Sequence, residues 1–410
     1  MKTILIVGGG AAGIAAAISA ADAAPGARIL LLERLDRVGK KLLATGNGRC
    51  NLTNQQACAS HYHSSTPREA AAVLRGMEPA AALSFFEDLG LRWTQEDEGR
   101  IYPYCMQASM VLDVLLAALA ERHIEIVCPA PVRSIRAANG RFDVDAGQHI
   151  SADAVILCAG GRAAPKLGSD GSGYALAKSL GHSCTPLYPA LTALCCDMRT
   201  SGGLKGIRAS AEVSIFSGET CLGTRRGEVL FTEYGLSGIA VMDLSLLLPQ
   251  AKKRPSFAEL DLFSDEEEAA LLRELRTRRS RFAAAPLERF LLGTVHKRLG
   301  FTLMKQAGFG ALSRRCETLT DPELAALVRL LKHWRFSITG VQGYGQAQVT
   351  FGGIPLSEID ENTMESKLCK GLYLAGEILD ITGDCGGYNL HWAWCSGIRA
   401  GRAAAKEVGA

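Results

Sequence analysis

Residues 2–33, KTILIVGGGAAGIAAAISAADAAPGARILLLE, decide how this chain of 410 residues folds. Residues 2–7 are short, apolar and β-branched, the pattern of a strand buried in a parallel sheet. Gly8-Gly9-Gly10-Ala11-Ala12-Gly13 follows without a gap. Residues 12–23 are nearly all Ala and Ile, which predicts a helix with a narrow, small-residue face. Residues 28–32 form a second apolar run that ends on Glu33. The order is strand, GxGxxG, helix, strand, acid. In that order Gly8 permits the tight turn, Gly10 lets the backbone approach a pyrophosphate and Gly13 lets helix and strand pack closely. The phosphates would lie on the helix N-terminus, where free N–H groups and the dipole favour anions. Glu33 stands twenty residues past Gly13, the distance needed to bind ribose hydroxyls. The plain alternative is a glycine-rich turn with no ligand, and the strand before, helix after and acid at the end argue against it. This stretch alone leaves FAD and NAD both open.

A chain this long exceeds one ordinary core, so two or three domains are expected. Hydrophobic residues make up 48% and charged residues 21%, ordinary values for a soluble globular protein. No apolar run reaches membrane-spanning length. The apolar N-terminus is broken by three glycines and carries no cleavage site, unlike a signal peptide. Thirteen cysteines without an export signal point to a reducing cytoplasm. No CxxC occurs, so no metal site of the zinc-ribbon type and no thioredoxin-like dithiol is expected. The net charge of +3 hides an uneven distribution: residues 250–335 hold 17 Lys/Arg against 11 Asp/Glu, a local balance of +6.

After Glu33 comes a second polar, glycine-rich loop, GKKLLATGNGRCNLTN over residues 39–54, with Lys40, Lys41 and Arg49 available for phosphates or ring carbonyls. Helices are predicted over 67–75, 79–89 and 108–122, with a hairpin over 91–103. Short strands follow at 125–128, 132–137 and 141–145, then a buried strand over 153–159 that runs into Gly160-Gly161. The Gly cluster at 168–173 opens a helix at 174–180 but lacks a preceding strand and a following acid, so it reads as a turn beside the cofactor. Residues 191–245 are strand-like with Gly turns, with strands over 211–217, 221–223 and 228–232. Helices are predicted over 265–281, 286–299 and 321–333, and strands return at 336–341 and 346–350. A last strand over 371–377 ends on Glu377 and precedes a small-residue helix at 389–408.

The N-terminal motif together with this C-terminal return argues for FAD, because a NAD dehydrogenase needs no such return. The fold class is therefore α/β, a discontinuous FAD domain of the two-dinucleotide-binding type with a Rossmann-like sheet. That domain spans 1–188 and 346–410, a β-rich substrate domain spans 189–254 and 336–345, and a helical insert covers 255–335.

Three separated stretches also carry a family resemblance: residues 39–54, GEVLFTEYGLSG at 227–238, and GLYLAGEILDITGDCGGYNLHWAWCSG at 371–397. They resemble the bacterial flavoprotein family that includes the bile-acid enone reductase BaiN and the ribosomal RNA dihydrouridine synthase RdsA, members of which are also termed aminoacetone oxidase-like or YhiN-type. Ile239 stands where that pattern has Pro, and His391 where it has Gln. The resemblance implies FAD held by Gly8, Gly10, Ala11, Ala12, Gly13, Glu33 and Arg34. From the second loop it adds Lys40, Lys41, Leu42, Gly48 and Asn51, and from the middle of the domain Val132, Ala159 and Gly160. From the C-terminal segment it adds Gly376, Glu377, Gly387, Tyr388, Asn389 and Leu390, with Glu377 on the ribityl chain.

Flavin carries the redox step in such proteins, while the chain orients substrate and moves a proton. With no second complete GxGxxG unit, NADH or NADPH would serve as a transient reductant bound at the substrate face. The expected activity is reduction of an activated C=C bond. The resemblance and the basic segment lean it towards uridine in ribosomal RNA, whose binding would weaken steeply with salt. The alternatives are a small enone of the steroid or bile-acid type, amine oxidation, or an RNA-binding assembly factor that holds FAD without turnover. Cys50 is a candidate general acid, against the plain reading of a buried apolar residue. Arg49 is a candidate for polarising a carbonyl, against a contact to phosphate or a surface acid. His391 is a candidate at a helix N-terminus, against a packing histidine.

Overall fold

The computed structural model describes residues 1–199, 201–251 and 256–409. β1 (Thr3–Val7) is buried along its whole length and is the central strand of a five-stranded parallel sheet. On one side it pairs with β2 (Arg28–Leu32), with Val7 opposite Leu32, and β2 pairs in turn with Glu125–Val127. On the other side it pairs with Ala154–Leu157, with Val7 opposite Leu157, and that strand pairs with Leu372–Leu374. The chain leaves β1 in one direction and returns on its other side only after long excursions, so β1 is the switch point where ligands bind in open parallel sheets.

Between β1 and β2 runs α1 (Ala11–Ala23), whose Gly13 makes its close approach possible. A side chain there would overlap the Gly8 carbonyl oxygen. The C-terminal helix Tyr388–Gly409 lies against α1 by the same device. Gly397 and Gly401, four residues apart on one face, rest on the carbonyl oxygens of Ala12 and Ala16. Trp392 and Trp394 of this helix are fully buried and dominate the apolar core around it.

The chain divides into two compact units, residues 1–190 with 344–410, and residues 191–343. The second unit is built on a closed six-stranded barrel. Its strands, in barrel order, are Leu194–Cys196, Gly235–Ser237, Thr220–Phe231, Arg208–Ser217, Phe257–Asp261 and Trp334–Val341, the last pairing back to the first. Alternate residues point inward, among them Val213, Ile215, Val229, Phe231, Ala258, Leu260 and Phe336, all buried. Helices Glu268–Arg281, Lys297–Gln306 and Asp321–Lys332 bury their apolar faces in the same core.

This unit departs from the sequence reading in three places. Residues 257–261, assigned to a helical insert, are a barrel strand, so barrel and helices share one core rather than forming two bodies. Residues 220–231 are one strand of 12 residues rather than two short ones. Their polar middle mimics a turn but pairs with 208–217 on the barrel. Residues 286–299 are not one helix: a short 3-10 turn at Leu287–Arg289 is followed by Gly293 in the left-handed region, and regular helix begins only at Lys297. The expected boundary between residues 254 and 255 lies outside the described residues, as do Lys252, Lys253 and Arg254. Among the described residues, no helix is long and apolar enough to cross a membrane.

Candidate functional site

The carboxyl ends of four adjacent parallel strands bring together residues from across the sequence. Gly8 and Gly10 follow β1, Glu33 and Arg34 follow β2, Ala159 and Gly160 follow Ala154–Leu157, and Gly376 and Glu377 follow Leu372–Leu374. The cradle these residues form tests whether a dinucleotide fits. A side chain at Gly10 would meet no atom within 4 Å, so this position opens into free space. No side chain caps the N-terminus of α1, which leaves its first-turn N–H groups, at Ala11 and Ala12, available to phosphate. Glu33 is buried; its Oε2 accepts the Gly9 N–H at 2.8 Å and its Oε1 the Leu35 N–H at 2.8 Å. Each oxygen keeps a further lone pair for a hydroxyl donor. The residues fit a dinucleotide.

The second loop supplies the next layer. Lys41 Nζ donates to Glu377 Oε2 at 2.6 Å and to the Ala163 carbonyl at 3.3 Å, while Glu377 Oε1 accepts the Thr350 N–H at 3.0 Å. Lys40 pairs with Asp36 and Arg34 with Asp170, both near the surface. Leu42 is buried against the core, and Gly48 lies in a short turn with open space around it. Val132 is half-buried in the loop before the strand Ser134–Ala138. The Gly168–Gly173 cluster packs on the motif itself, with Gly168 beside Leu35 and Gly173 on Ala159.

Asn51 and the C-terminal segment meet at Gly387. That glycine has φ +103, and a side chain there would crowd the Thr53 carbonyl and Asn51 Oδ1. Asn54 Nδ2 donates to the Gly386 carbonyl at 2.9 Å, and Trp394 Nε1 to the Leu52 carbonyl at 3.0 Å. Asn389 staples the turn from within, accepting the Gly383 N–H and donating to the Gly383 carbonyl. Tyr388 and Leu390 flank it in the first turn of the helix. Asn51 Oδ1 is buried without a protein partner, so this contact region retains an unspent acceptor.

The three candidate catalytic residues fare differently. Cys50 is fully buried, and burial pushes its thiol up to about 12 against a smaller opposing hydrogen bond from Thr45. His391 is also buried; its Nε2 meets the Met77 carbonyl at 2.8 Å and its Nδ1 the Thr53 hydroxyl at 2.8 Å. A carbonyl only accepts, so Nε2 carries the proton and Nδ1 accepts from Thr53. Burial holds the His391 imidazole below its ordinary value and therefore neutral. Both placements agree with the plain packing reading of Cys50 and His391, whose side chains are buried. Arg49 remains accessible: its guanidinium lies 4.5 Å from the Tyr102 ring centroid, with Nη1 3.3 Å from Glu96 Oε2.

The sequence reading missed two sets of residues. One is the Ser396–Gly401 contact stripe, where Ser396 Oγ accepts the Gly376 N–H at 3.0 Å; its signal was the Gly397/Gly401 spacing. The other is a cluster of His61, His63 and Asp384. His61 closes the 3-10 turn Ala59–His61 and His63 ends the short strand Tyr62–His63, and both side chains reach Asp384.

A nicotinamide dehydrogenase closes its site on the strands and loops next to the GxGxxG turn. Here the sheet needs Leu372–Leu374, Glu377 and the C-terminal helix to complete the same cradle, and that long return defines an FAD-dependent oxidoreductase. The chain belongs to the family described as HI0933-like protein Rossmann domain, whose model matches residues 2–403. It is 38% identical over 410 residues to a 3-dehydro-bile acid delta(4,6)-reductase of Clostridium scindens, covering 99% of this chain and 100% of that protein. It is 29% identical to a ribosomal RNA dihydrouridine synthase of Escherichia coli, covering 96% of this chain and 95% of that one. Among solved structures, 3-ketosteroid delta1-dehydrogenase from Sterolibacterium denitrificans has the same fold, with a TM-score of 0.52 at 14% identity over 99% of this chain and 100% of that one.

Proposed function

We propose that this protein reduces a C=C bond conjugated to a carbonyl, consuming NADH or NADPH, and that its substrate is a small enone of the 3-oxo steroid or bile-acid type. The observation that carries the reaction is shared by two full-length relatives. A delta(4,6)-reductase and a dihydrouridine synthase both name the addition of hydrogen across a polarised double bond. When bound, FAD supplies the hydride-transfer chemistry for this reaction. Glu33 and the N-terminus of α1 would hold its ribose and phosphates, with Lys41 and Glu377 along the ribityl side. Arg49 is the accessible cation of the second loop and would meet the substrate carbonyl.

Identity and charge both bear on the choice between the two substrate classes. The leaning towards RNA rests on the family resemblance and on the +6 balance of residues 250–335. Three of those charges, Lys252, Lys253 and Arg254, lie outside the described residues. Of the others, Arg276 and Arg279 hold Asp321, Arg314 holds Glu323, Arg335 holds Glu259 and Lys332 holds Asp261. Arg278 is spent on the carbonyls of Phe290 and Leu292. Pairing inside the segment leaves its balance at +3 over the described residues, so the small enone is favoured instead by the 38% identity to the bile-acid reductase against 29% to the dihydrouridine synthase. The Escherichia coli relative supports uridine in ribosomal RNA as the second reading. A salt titration of RNA binding separates the two. Sub-micromolar binding with a steep salt slope supports uridine, and weak binding at every salt concentration supports the small enone.

A further inference from the structure

With Cys50 and His391 in the interior, the reaction proposed above lacks a proton source, and the His61–His63–Asp384 cluster is placed to provide one. The short strand Tyr62–His63 pairs antiparallel with Thr382–Gly383, which carries Asp384 to the histidines. Asp384 Oδ2 meets His61 Nδ1 at 3.0 Å, and Asp384 Oδ1 meets His63 Nε2 at 2.7 Å. The Asp384 N–H donates to the His61 carbonyl at 2.9 Å, so backbone and side chain fix one geometry. The His61 ring stacks on Tyr388 with centroids 4.5 Å apart and planes 16° apart. Tyr62 locks the other side, its hydroxyl donating to the Tyr388 carbonyl at 3.0 Å.

These contacts seat His61 on the first residue of the C-terminal helix, beside the Gly386–Gly387 turn. Its side chain is 30% exposed, whereas His182, whose ring nitrogens engage Glu358 and Ser366, is 0% exposed. His61 Nε2 has no hydrogen-bond partner among the described residues. A histidine with one nitrogen on a buried carboxylate and the other open is oriented for general acid work. Burial pushes the Asp384 carboxyl up, but hydrogen bonds from His63 and His61 outweigh it and hold the group ionised. The titratable groups gathered around His61 are Asp384, which also holds His63 of the adjoining strand, and Tyr388 on the helix, while the His61 N–H donates to the Cys58 carbonyl.

We propose that His61, oriented by Asp384, is the proton donor of the reduction. It rests on the reading of this protein as a reductase of a conjugated C=C bond. The reduction adds two electrons and two hydrogens: a hydride originating from NAD(P)H forms the new C–H bond at the β-carbon, and the π pair moves towards the carbonyl. His61 Nε2–H then protonates the α-carbon, leaving a neutral imidazole that takes a proton from water. Asp384 and His63 are positioning residues.

The test uses the FAD-loaded full chain, NAD(P)H and a 3-oxo-Δ4,6 bile acid as acceptor. His61→Gln should retain FAD and be reduced by NAD(P)H at the wild-type rate, while reoxidation by the dienone slows at least about 100-fold. Free imidazole should restore part of the rate to His61→Gly. In the oxidised protein, the dienone should shift the ring NMR signals of His61 but not those of His182. Wild-type-like reoxidation by His61→Gln, or His61 signals that ignore the dienone, overturns the proposal. If the wild type itself fails to reduce the dienone, the substrate reading fails instead, and the His61 ring signals are then followed on adding ribosomal RNA.

Discussion

The two units of this chain solve the problem of close packing in opposite ways. In the sheet unit, helices reach the strands and each other by removing side chains: Gly13 on Gly8, and Gly397 and Gly401 on Ala12 and Ala16. In the barrel unit the space is filled: Phe231, Trp334 and Phe336 form an aromatic cluster with centroids 4.7 to 6.1 Å apart. The first design brings main chain, with the Glu33 carboxylate beside it, to where a cofactor's phosphates and ribose would lie. The second fills a closed barrel with aromatic and aliphatic side chains. Close backbone approach marks the sheet unit, and bulky filling marks the barrel unit.

The contrast is broken most severely at Gly13. Gly13→Val places carbon inside the Gly8 carbonyl, so the purified protein should carry no FAD; a normal ratio of flavin to protein absorbance would show that the approach is not needed. Next in size is Phe231→Ala in the barrel, expected to cost about 3–5 kcal/mol in urea unfolding through the lost contacts and the cavity. The FAD content of that variant should stay stoichiometric, and loss of flavin would join the two units in one function.

A smaller effect is expected at His391. Its imidazole is held neutral in the native state, whereas in the unfolded chain it takes up a proton below its ordinary 6.5. The unfolded state then binds more protons, so stability falls as pH drops below that value, with a slope of at most about 1.4 kcal/mol per pH unit. His391→Gln can still donate to Met77 and accept from Thr53, and should flatten that slope in a series of thermal melts. The smallest effect belongs to Arg276→Ala, which removes one exposed partner of Asp321; the melting temperature should not move.

The β1–α1–β2 unit was legible in the sequence because its parts are adjacent and glycine has few other reasons to recur at that spacing. The C-terminal return was legible as a strand and an acid. Its contact with α1 was not, although Gly397 and Gly401 stood in view, because helix–helix contacts depend on which faces meet. Barrel closure was hidden for a related reason: the strand Phe257–Asp261 shows only two inward residues, Ala258 and Leu260, amid a helix-rich segment. His61 and Asp384 are 323 positions apart, and nothing in either neighbourhood announces the other. Cys50 and His391 drew attention by residue type, and their burial is not visible in the neighbouring sequence.

The central claim is that this protein reduces a conjugated double bond through FAD. The most direct test is anaerobic. The flavin-loaded protein is bleached with NADH or NADPH, excess reductant is removed, and a 3-oxo-Δ4,6 bile acid or unmodified ribosomal RNA is added in parallel. Rapid return of the oxidised flavin spectrum with the dienone, with one double bond reduced per flavin, is the predicted result. A bleached flavin that neither acceptor restores, or a flavin that NAD(P)H fails to bleach, would contradict it.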